Sequence, residues 1–220
     1  MMHFPTPTIT KHPNRAHRYS NVMKTNPIRE RVAQLAAQLM HEHGIQDFSL
    51  AKRKAARQLG IVEAHHLPGN IEIENALKDY QALFHKDTHP AIIQQLRETA
   101  IKTMEMLADF NPYLTGSVLN GTANEHSDIQ IELFTDNEKD VELYLLNQGI
   151  QFKQGQRQIT HQGNHRQIPC FVLNAQTCDI YVTIQAPSRI RNAPRNNASE
   201  PLKRASLSQM LALVNSDELI

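Results

Sequence analysis

Apolar side chains recur at helical spacing in four segments that precede residue 110. The predicted helices run from Asn26 to just before Gly44, from Asp47 to Leu59, from Asn70 to about His85, and from Thr88 to Leu107. Asn26 followed by Pro27 is typical of a helix start, since asparagine caps the free N–H groups and proline suits the first turn. Ser49 is the expected cap of the second helix. The front of the chain is therefore predicted to be helical.

The pattern changes after residue 110, where polar and apolar positions alternate with a period of two. Residues 128–134 show this alternation, a helix is predicted over 137–147, and further strands are expected around 150–158, 167–173 and 178–184. The last two strands are separated by residues 174–177, short enough for a hairpin in which Cys170 and Cys178 can lie opposite one another. A capping box of Ser206 and Gln209 predicts a final helix.

These elements predict an α+β protein: an N-terminal helical region, then a short mixed sheet with flanking helices. The expected division is a flexible tail over residues 1–24, a helical region over 25–107, and a sheet domain over 108–220. At 220 residues, 40% of them hydrophobic and 20% charged, the chain is long and apolar enough to bury a core. It has no run of apolar residues suited to a membrane span or a secretory signal, so we expect no membrane partner and a cytoplasmic protein.

The segment with most chemical information begins at Gly116-Ser117 and leads into the strand that Asp128 opens. A glycine lets the backbone pass close to a polyanion, while the serine hydroxyl and neighbouring N–H groups can hold phosphate oxygens. Gly121 and Thr122 follow in the same loop. Along the strand, Asp128 and Gln130 share a face with Glu132, and the apolar face turns to the core. The pattern indicates a phosphate site beside a carboxylate.

In this segment the sequence resembles the nucleotidyltransferase superfamily that includes DNA polymerase beta and the minimal nucleotidyltransferases. Its signature is Gly-Ser, about ten residues, then Asp-x-Asp on a strand and a third carboxylate on a later strand, for which Asp179 is the candidate. The resemblance covers about residues 107–184. It implies that Asp128 and Asp179 bind Mg²⁺ and that a nucleoside triphosphate is held at Gly116 and Ser117 and donates a nucleoside monophosphate.

The sequence departs from the family at Gln130, where the family has its second aspartate. Glutamine offers a carbonyl oxygen without charge, so its expected role is to orient a water or a ribose hydroxyl. Glu132 cannot readily substitute, because four residues along a strand span about 13 Å, whereas paired metals lie roughly 4 Å apart. The carboxylate set is incomplete, and the sequence leaves open whether the chain is an active Mg²⁺-dependent enzyme.

The distribution of positive charge favours a second interpretation, in which the chain binds a partner without catalysing a reaction. Residues 1–60 carry 10 Lys or Arg against 3 Asp or Glu. The side chains that could contact a triphosphate or nucleic acid lie on the second helix and in a basic loop near the C-terminus: Lys52, Arg53, Lys54, Arg57, Arg189, Arg191 and Arg195. The second interpretation is thus a catalytically inactive adaptor, a pseudoenzyme that binds nucleic acid or a protein partner through these surfaces.

Overall fold

The computed structural model describes residues 26–61, 67–161, 164–175, 177–190 and 203–217; for residues 158–161, 164–166 and 217 it describes the backbone alone. The predicted tail over residues 1–24 lies outside the described residues. The α+β class is confirmed, with helices preceding a mixed sheet. The first four helices are α1 Pro27–Glu42, α2 Phe48–Gln58, α3 Asn70–Phe84 and α4 His89–Met106. Among the described helices, none combines the length and apolar character that crossing a bilayer requires.

A six-stranded sheet follows, interleaved with three more helices. The elements in chain order are β1 Tyr113–Thr115, α5 Gly116–Asn120, β2 Ile129–Phe134, α6 Glu138–Asn147, β3 Phe152–His161, β4 Asn164–Asn174, β5 Asp179–Gln185, β6 Ala205–Ser206 and α7 Leu207–Asp217. In space the strands lie in the order β3-β4-β5-β2-β1-β6. The β2 and β5 strands are parallel neighbours, and every other described pairing is antiparallel.

The described residues form two apolar cores. One is built by α1, α2 and α3, which we call the helical unit. The other gathers one face of the sheet with α4, α6 and α7, and we call these elements together with α5 the sheet unit. Thus α4 packs on the sheet, although it follows the helical unit along the chain. The predicted boundary after residue 107, between a helical region and a sheet domain, stays a prediction.

Local capping signals explain where several helices begin. The Asn26 side chain accepts a hydrogen bond from the N–H of Ile28 at 3.1 Å, as its place before Pro27 predicts. The capping box at α7 is confirmed: the N–H of Ser206 donates to Gln209 Oε1 at 2.9 Å, and the N–H of Gln209 donates to Ser206 Oγ at 3.4 Å.

Two local predictions were wrong. The cap of α2 is Asp47 rather than Ser49, because the Asp47 carboxylate accepts the N–H of Leu50 at 2.7 Å. Cys170 does not face Cys178. It pairs with Thr183 across the β4–β5 hairpin, while Cys178 precedes β5 in the turn. The loop length sets this register: Asn174 pairs with Asp179, so Cys178 lies within the connecting turn, where its carbonyl accepts the N–H of Ala175 at 3.0 Å.

Candidate functional site

Asp128 and Asp179 occupy neighbouring positions on the polar face of the sheet, and we call them the carboxylate pair. The parallel register aligns Ile129 with Ile180, so the preceding residues lie side by side on strands about 4.8 Å apart. Ile129 is fully buried and Ile180 nearly so. Because side chains alternate along a strand, the two carboxylates point away from that core. The structure brings together two acids that lie 51 residues apart in the sequence.

The carboxylate pair is partly withdrawn from water. Burial raises the pKa of the Asp128 carboxyl above its ordinary value, a hydrogen bond from Gln46 lowers it in part, and the neighbouring Asp179 charge raises it further. Asn174 Nδ2 donates to Asp179 Oδ1 at 3.2 Å. Like charges at short range in a half-buried place repel one another. This arrangement favours additional positive charge beside the carboxylate pair.

Gly116 and Ser117 start the short helix α5 beside the same face of β2. Thr115 pairs with Gln130, and the Gly116 backbone has a φ of +77°, the left-handed region that favours glycine. A Cβ at Gly116 would lie 2.9 Å from Gln130 Oε1, so the absence of a side chain lets the Gln130 amide pack against the turn. The Ser117 carbonyl accepts the N–H groups of Thr122 and Ala123. The loop is thereby closed on itself next to Gln130.

A cleft with a volume of about 690 Å³ separates the helical unit from the polar face of the sheet. The helical unit lines it with the apolar side chains of Met40, Ile45, Phe48, Ile71 and Leu77 and with polar or charged ones: His41, Gln46, Asp47, Ser49, Arg53, Asn70 and Glu74. The sheet unit lines it mainly with polar groups, among them Thr115, Ser117, Thr122, Gln130, Arg157 and Lys203. The volume is in the range of small-molecule sites. Such a cleft offers a small-molecule ligand apolar surface together with both cations and acids.

The carboxylate pair borders this cleft rather than lining it. Gln130, two residues along the same face from Asp128, is part of the lining, and so is Gln46, whose amide bonds Asp128. Arg157 also lines the cleft, with its guanidinium 5.2 Å from the centre of the Tyr181 ring. The positive charge of Arg157 lowers the pKa of the Asp128 carboxyl. Two acids, a cation and the Gln46 amide thus lie near one another at one edge of the cleft.

No family model, curated protein or solved structure matches this chain. What the site can do follows from its own residues. Within the described ranges, no three His, Cys, Asp or Glu side chains come together as a metal-ligand group. Mg²⁺ does not require such a group, because it commonly keeps several waters and binds one or two carboxylates together with substrate phosphates. The carboxylate pair, with its mutual repulsion, fits a cation that arrives with a phosphorylated ligand.

The basic residues singled out from the sequence are separated in space. Arg53 lines the cleft, and Lys54 and Arg57 are exposed on α2. Lys52 Nζ instead donates to the Pro68 carbonyl at 2.9 Å and to Asn70 Oδ1 at 3.0 Å, so it ties α2 to the start of α3.

The remaining predicted residues lie after β5, in the α5–β2 loop, or outside the described residues. Arg189 ends a short turn after β5, where its carbonyl accepts Arg204 Nη1 at 3.0 Å. Arg191 and Arg195 lie outside the described residues. Gly121 ends α5 with a φ of +73°. Thr122 lines the cleft, and its carbonyl accepts Gln81 Nε2 from the helical unit at 3.0 Å.

Sequence reasoning missed three residues that shape the cleft: Gln46, Arg157 and Arg204. Arg204 forms a buried ion pair with Glu132, with Nε and Oε2 2.5 Å apart, and its guanidinium lies over Phe134. Glu132 is therefore neutralised by a partner. Neighbouring residues give no local signal for these contacts, because each joins elements far apart in the chain.

Proposed function

We propose that this chain binds a nucleoside triphosphate with Mg²⁺ in the cleft and is related in function to the nucleotidyltransferases. The observation that carries the proposal is the carboxylate pair where parallel strands β2 and β5 begin, Asp128 just before β2 and Asp179 as the first residue of β5, at the edge of a cleft that Ser117 lines. The order of Gly-Ser, Asp128 and Asp179 along the chain supports the same function.

The cleft offers separate surfaces for the two halves of a nucleotide. On the sheet side, the Ser117 hydroxyl with Arg157 and Lys203 can bind phosphate oxygens. On the helical side, Phe48 and Ile71 offer an apolar surface for a base. Because Gly116 has no side chain, the Gln130 amide can pack against the turn that leads into Ser117. The proposed orientation places the triphosphate toward the carboxylate pair and the base toward α2 and α3.

Mg²⁺, when bound, would screen the phosphate charge and polarise the phosphate that is transferred. Asp128 and Asp179 would hold it, and Gln130 would orient a water or a ribose hydroxyl through its neutral amide. In the full reaction, an acceptor oxygen bonds to the α-phosphorus, the bond to the bridging oxygen breaks, pyrophosphate leaves, and the hydroxyl proton passes to water. Because Gln130 replaces a carboxylate, the chain supplies charge for one cation rather than two, and we expect slow transfer.

Calorimetry on the full chain tests the proposal. ATP, CTP, GTP and UTP are titrated with Mg²⁺ into the protein and into Asp128→Ala. The matched control is Asp136→Ala, an exposed acid beyond the other end of β2. We expect Mg²⁺-dependent binding of at least one nucleotide, retained in Asp136→Ala and weakened at least tenfold in Asp128→Ala. Absence of binding for all four nucleotides contradicts the proposal.

The second candidate is a non-catalytic adaptor that binds nucleic acid. It is favoured by the neutral Gln130 and by the exposed Arg53, Lys54 and Arg57 on one helix. Neutralisation of phosphates by such residues gives an affinity that falls steeply with salt. A gel shift that weakens with salt and is lost when these three residues are changed to glutamine supports this candidate. Unchanged binding in the triple variant counts against it.

A further inference from the structure

Gln46 lies in the connection between α1 and α2 and contacts the carboxylate pair from across the cleft. Its Nε2 donates to Asp128 Oδ2 at 3.0 Å and to the carbonyl of His126 at 3.2 Å. The side chain is exposed and lines the cleft, so it is not held there by burial. These two hydrogen bonds define its position.

The chemistry of its two partners fixes which end of the Gln46 amide points at Asp128. An ionised carboxylate and a carbonyl both accept hydrogen bonds, so only the NH₂ group can satisfy them. The NH₂ group carries partial positive charge and occupies one oxygen of Asp128. Although this oxygen keeps a second lone pair, a cation that coordinates it is repelled by the partial positive charge of the donor. The amide and a cation therefore compete for Asp128 Oδ2.

We propose that Gln46 is a positioning residue that occupies Asp128 in the cation-free protein and is displaced when a divalent cation binds the carboxylate pair. The inference rests on the proposed function, because it assigns a regulation to the same site. It makes the helical unit a sensor of cation occupancy.

Nearby contacts show how displacement of Gln46 reaches the rest of the helical unit. Gly44 has a φ of +61°, and a Cβ there would lie 3.1 Å from the His126 Cβ, so this connection approaches the loop before β2 closely. Asn124 Nδ2, in the same loop, donates to the His41 carbonyl at the end of α1 at 3.0 Å. Gln46 is the member of this group that also contacts a carboxylate. Its release loosens one side of the contact between the helical unit and the sheet unit.

Gln46→Glu replaces the NH₂ group that donates to Asp128 with a carboxylate oxygen, with almost no change in the shape of the side chain. A third carboxylate at this place faces Asp128 and the His126 carbonyl, so we expect it to destabilise the cation-free fold. With a cation present, the same oxygen becomes a ligand and replaces the charge that Gln130 lacks. Gln46→Leu removes the competing donor without adding charge. Gln34→Glu, at an exposed position on α1, adds the same charge away from the site and serves as the control.

The test measures Mn²⁺ affinity without nucleotide by electron paramagnetic resonance, and melting temperature in chelator and in Mn²⁺. We expect Gln46→Glu to bind at least tenfold more tightly than wild type, Gln46→Leu severalfold more tightly, and Gln34→Glu as wild type. Gln46→Glu should also melt lower in chelator and recover in Mn²⁺.

An affinity of Gln46→Leu equal to or weaker than that of wild type overturns the inference, whether or not nucleotides bind, because removal of the donor then brings no gain. If wild type binds Mg²⁺ with nucleotide while Gln46→Leu gains nothing, the inference alone fails. If Gln46→Leu gains Mn²⁺ affinity while no nucleotide binds, the proposed function fails and the role of Gln46 stands.

Discussion

Replacing Gly116 with alanine tests whether the glycine is needed for its close contact with Gln130 or only for its backbone angle. Gly149 provides the comparison, because its φ is +68°, close to the +77° of Gly116, and a Cβ there meets nothing within 4 Å. At Gly116 the added Cβ lies 2.9 Å from Gln130 Oε1 and 3.0 Å from Cδ. Both variants introduce the same backbone strain, but only Gly116→Ala also displaces the Gln130 amide.

The magnitudes follow from these two contributions. A left-handed alanine costs about 1–2 kcal/mol, partly offset by about 0.4–1 kcal/mol from the stiffer unfolded chain. We therefore expect Gly149→Ala to lower the free energy of unfolding by about 1 kcal/mol. Moving the Gln130 side chain from its rotamer adds about 0.5–1.5 kcal/mol. Gly116→Ala should cost about 2 kcal/mol, which is a melting temperature lower by roughly 4–8 °C in a domain of this size.

Urea unfolding followed by circular dichroism measures both variants. A double-mutant cycle with Gln130→Ala isolates the contact, and the extra cost of Gly116→Ala should disappear in the Gln130→Ala background. Equal costs for the two glycine variants, or an extra cost that persists without the Gln130 amide, would refute this account of the turn.

Two further variants test the electrostatics of the site. Burial and the Asp179 charge raise the pKa of the Asp128 carboxyl, so ionised Asp128 weakens the fold above that raised pKa. Asp128→Asn should therefore have a higher melting temperature than wild type at pH 7 in chelator. The difference should vanish once the pH falls below the ordinary pKa of aspartate. A higher melting temperature of Asp128→Asn that persists at acid pH contradicts this electrostatic explanation. Arg204→Met leaves the buried Glu132 carboxylate without its partner and should cost about 3–5 kcal/mol by urea unfolding. Adding Glu132→Leu should restore most of the loss; no restoration would show that the ion pair is not the cause.

Much of the fold follows from local patterns in the sequence. The Asn26-Pro27 start of α1 and the Ser206–Gln209 box of α7 are set by residues within one turn. The alternation that begins at Asp128 correctly predicts which side chains of β2 face the core. These features depend on neighbours in sequence, so spacing is sufficient to predict them.

The site is less accessible from sequence because its contacts join distant segments. Gln46 and Asp128 are separated by 82 residues, and nothing in the pattern around Gln46 marks it. Arg157 reaches the site only because β3 pairs with β4 and β4 with β5. The error over Cys178 is of a different kind, because loop length fixes the register of a hairpin: a residue beside the loop cannot pair with Cys170, which lies four residues before the end of β4. Residues adjacent on a strand were predictable, and the cleft between the units was not.

The central claim is that the carboxylate pair and the cleft form one cation-dependent nucleotide site. A crystal of the full chain soaked with Mn²⁺ and a non-hydrolysable nucleoside triphosphate tests it most directly, because anomalous scattering locates the metal independently of the protein. The account predicts a Mn²⁺ peak between Asp128 and Asp179, with phosphate density beside Ser117. Nucleotide density at another surface, or a cleft with neither metal nor nucleotide at saturating concentrations, would contradict it.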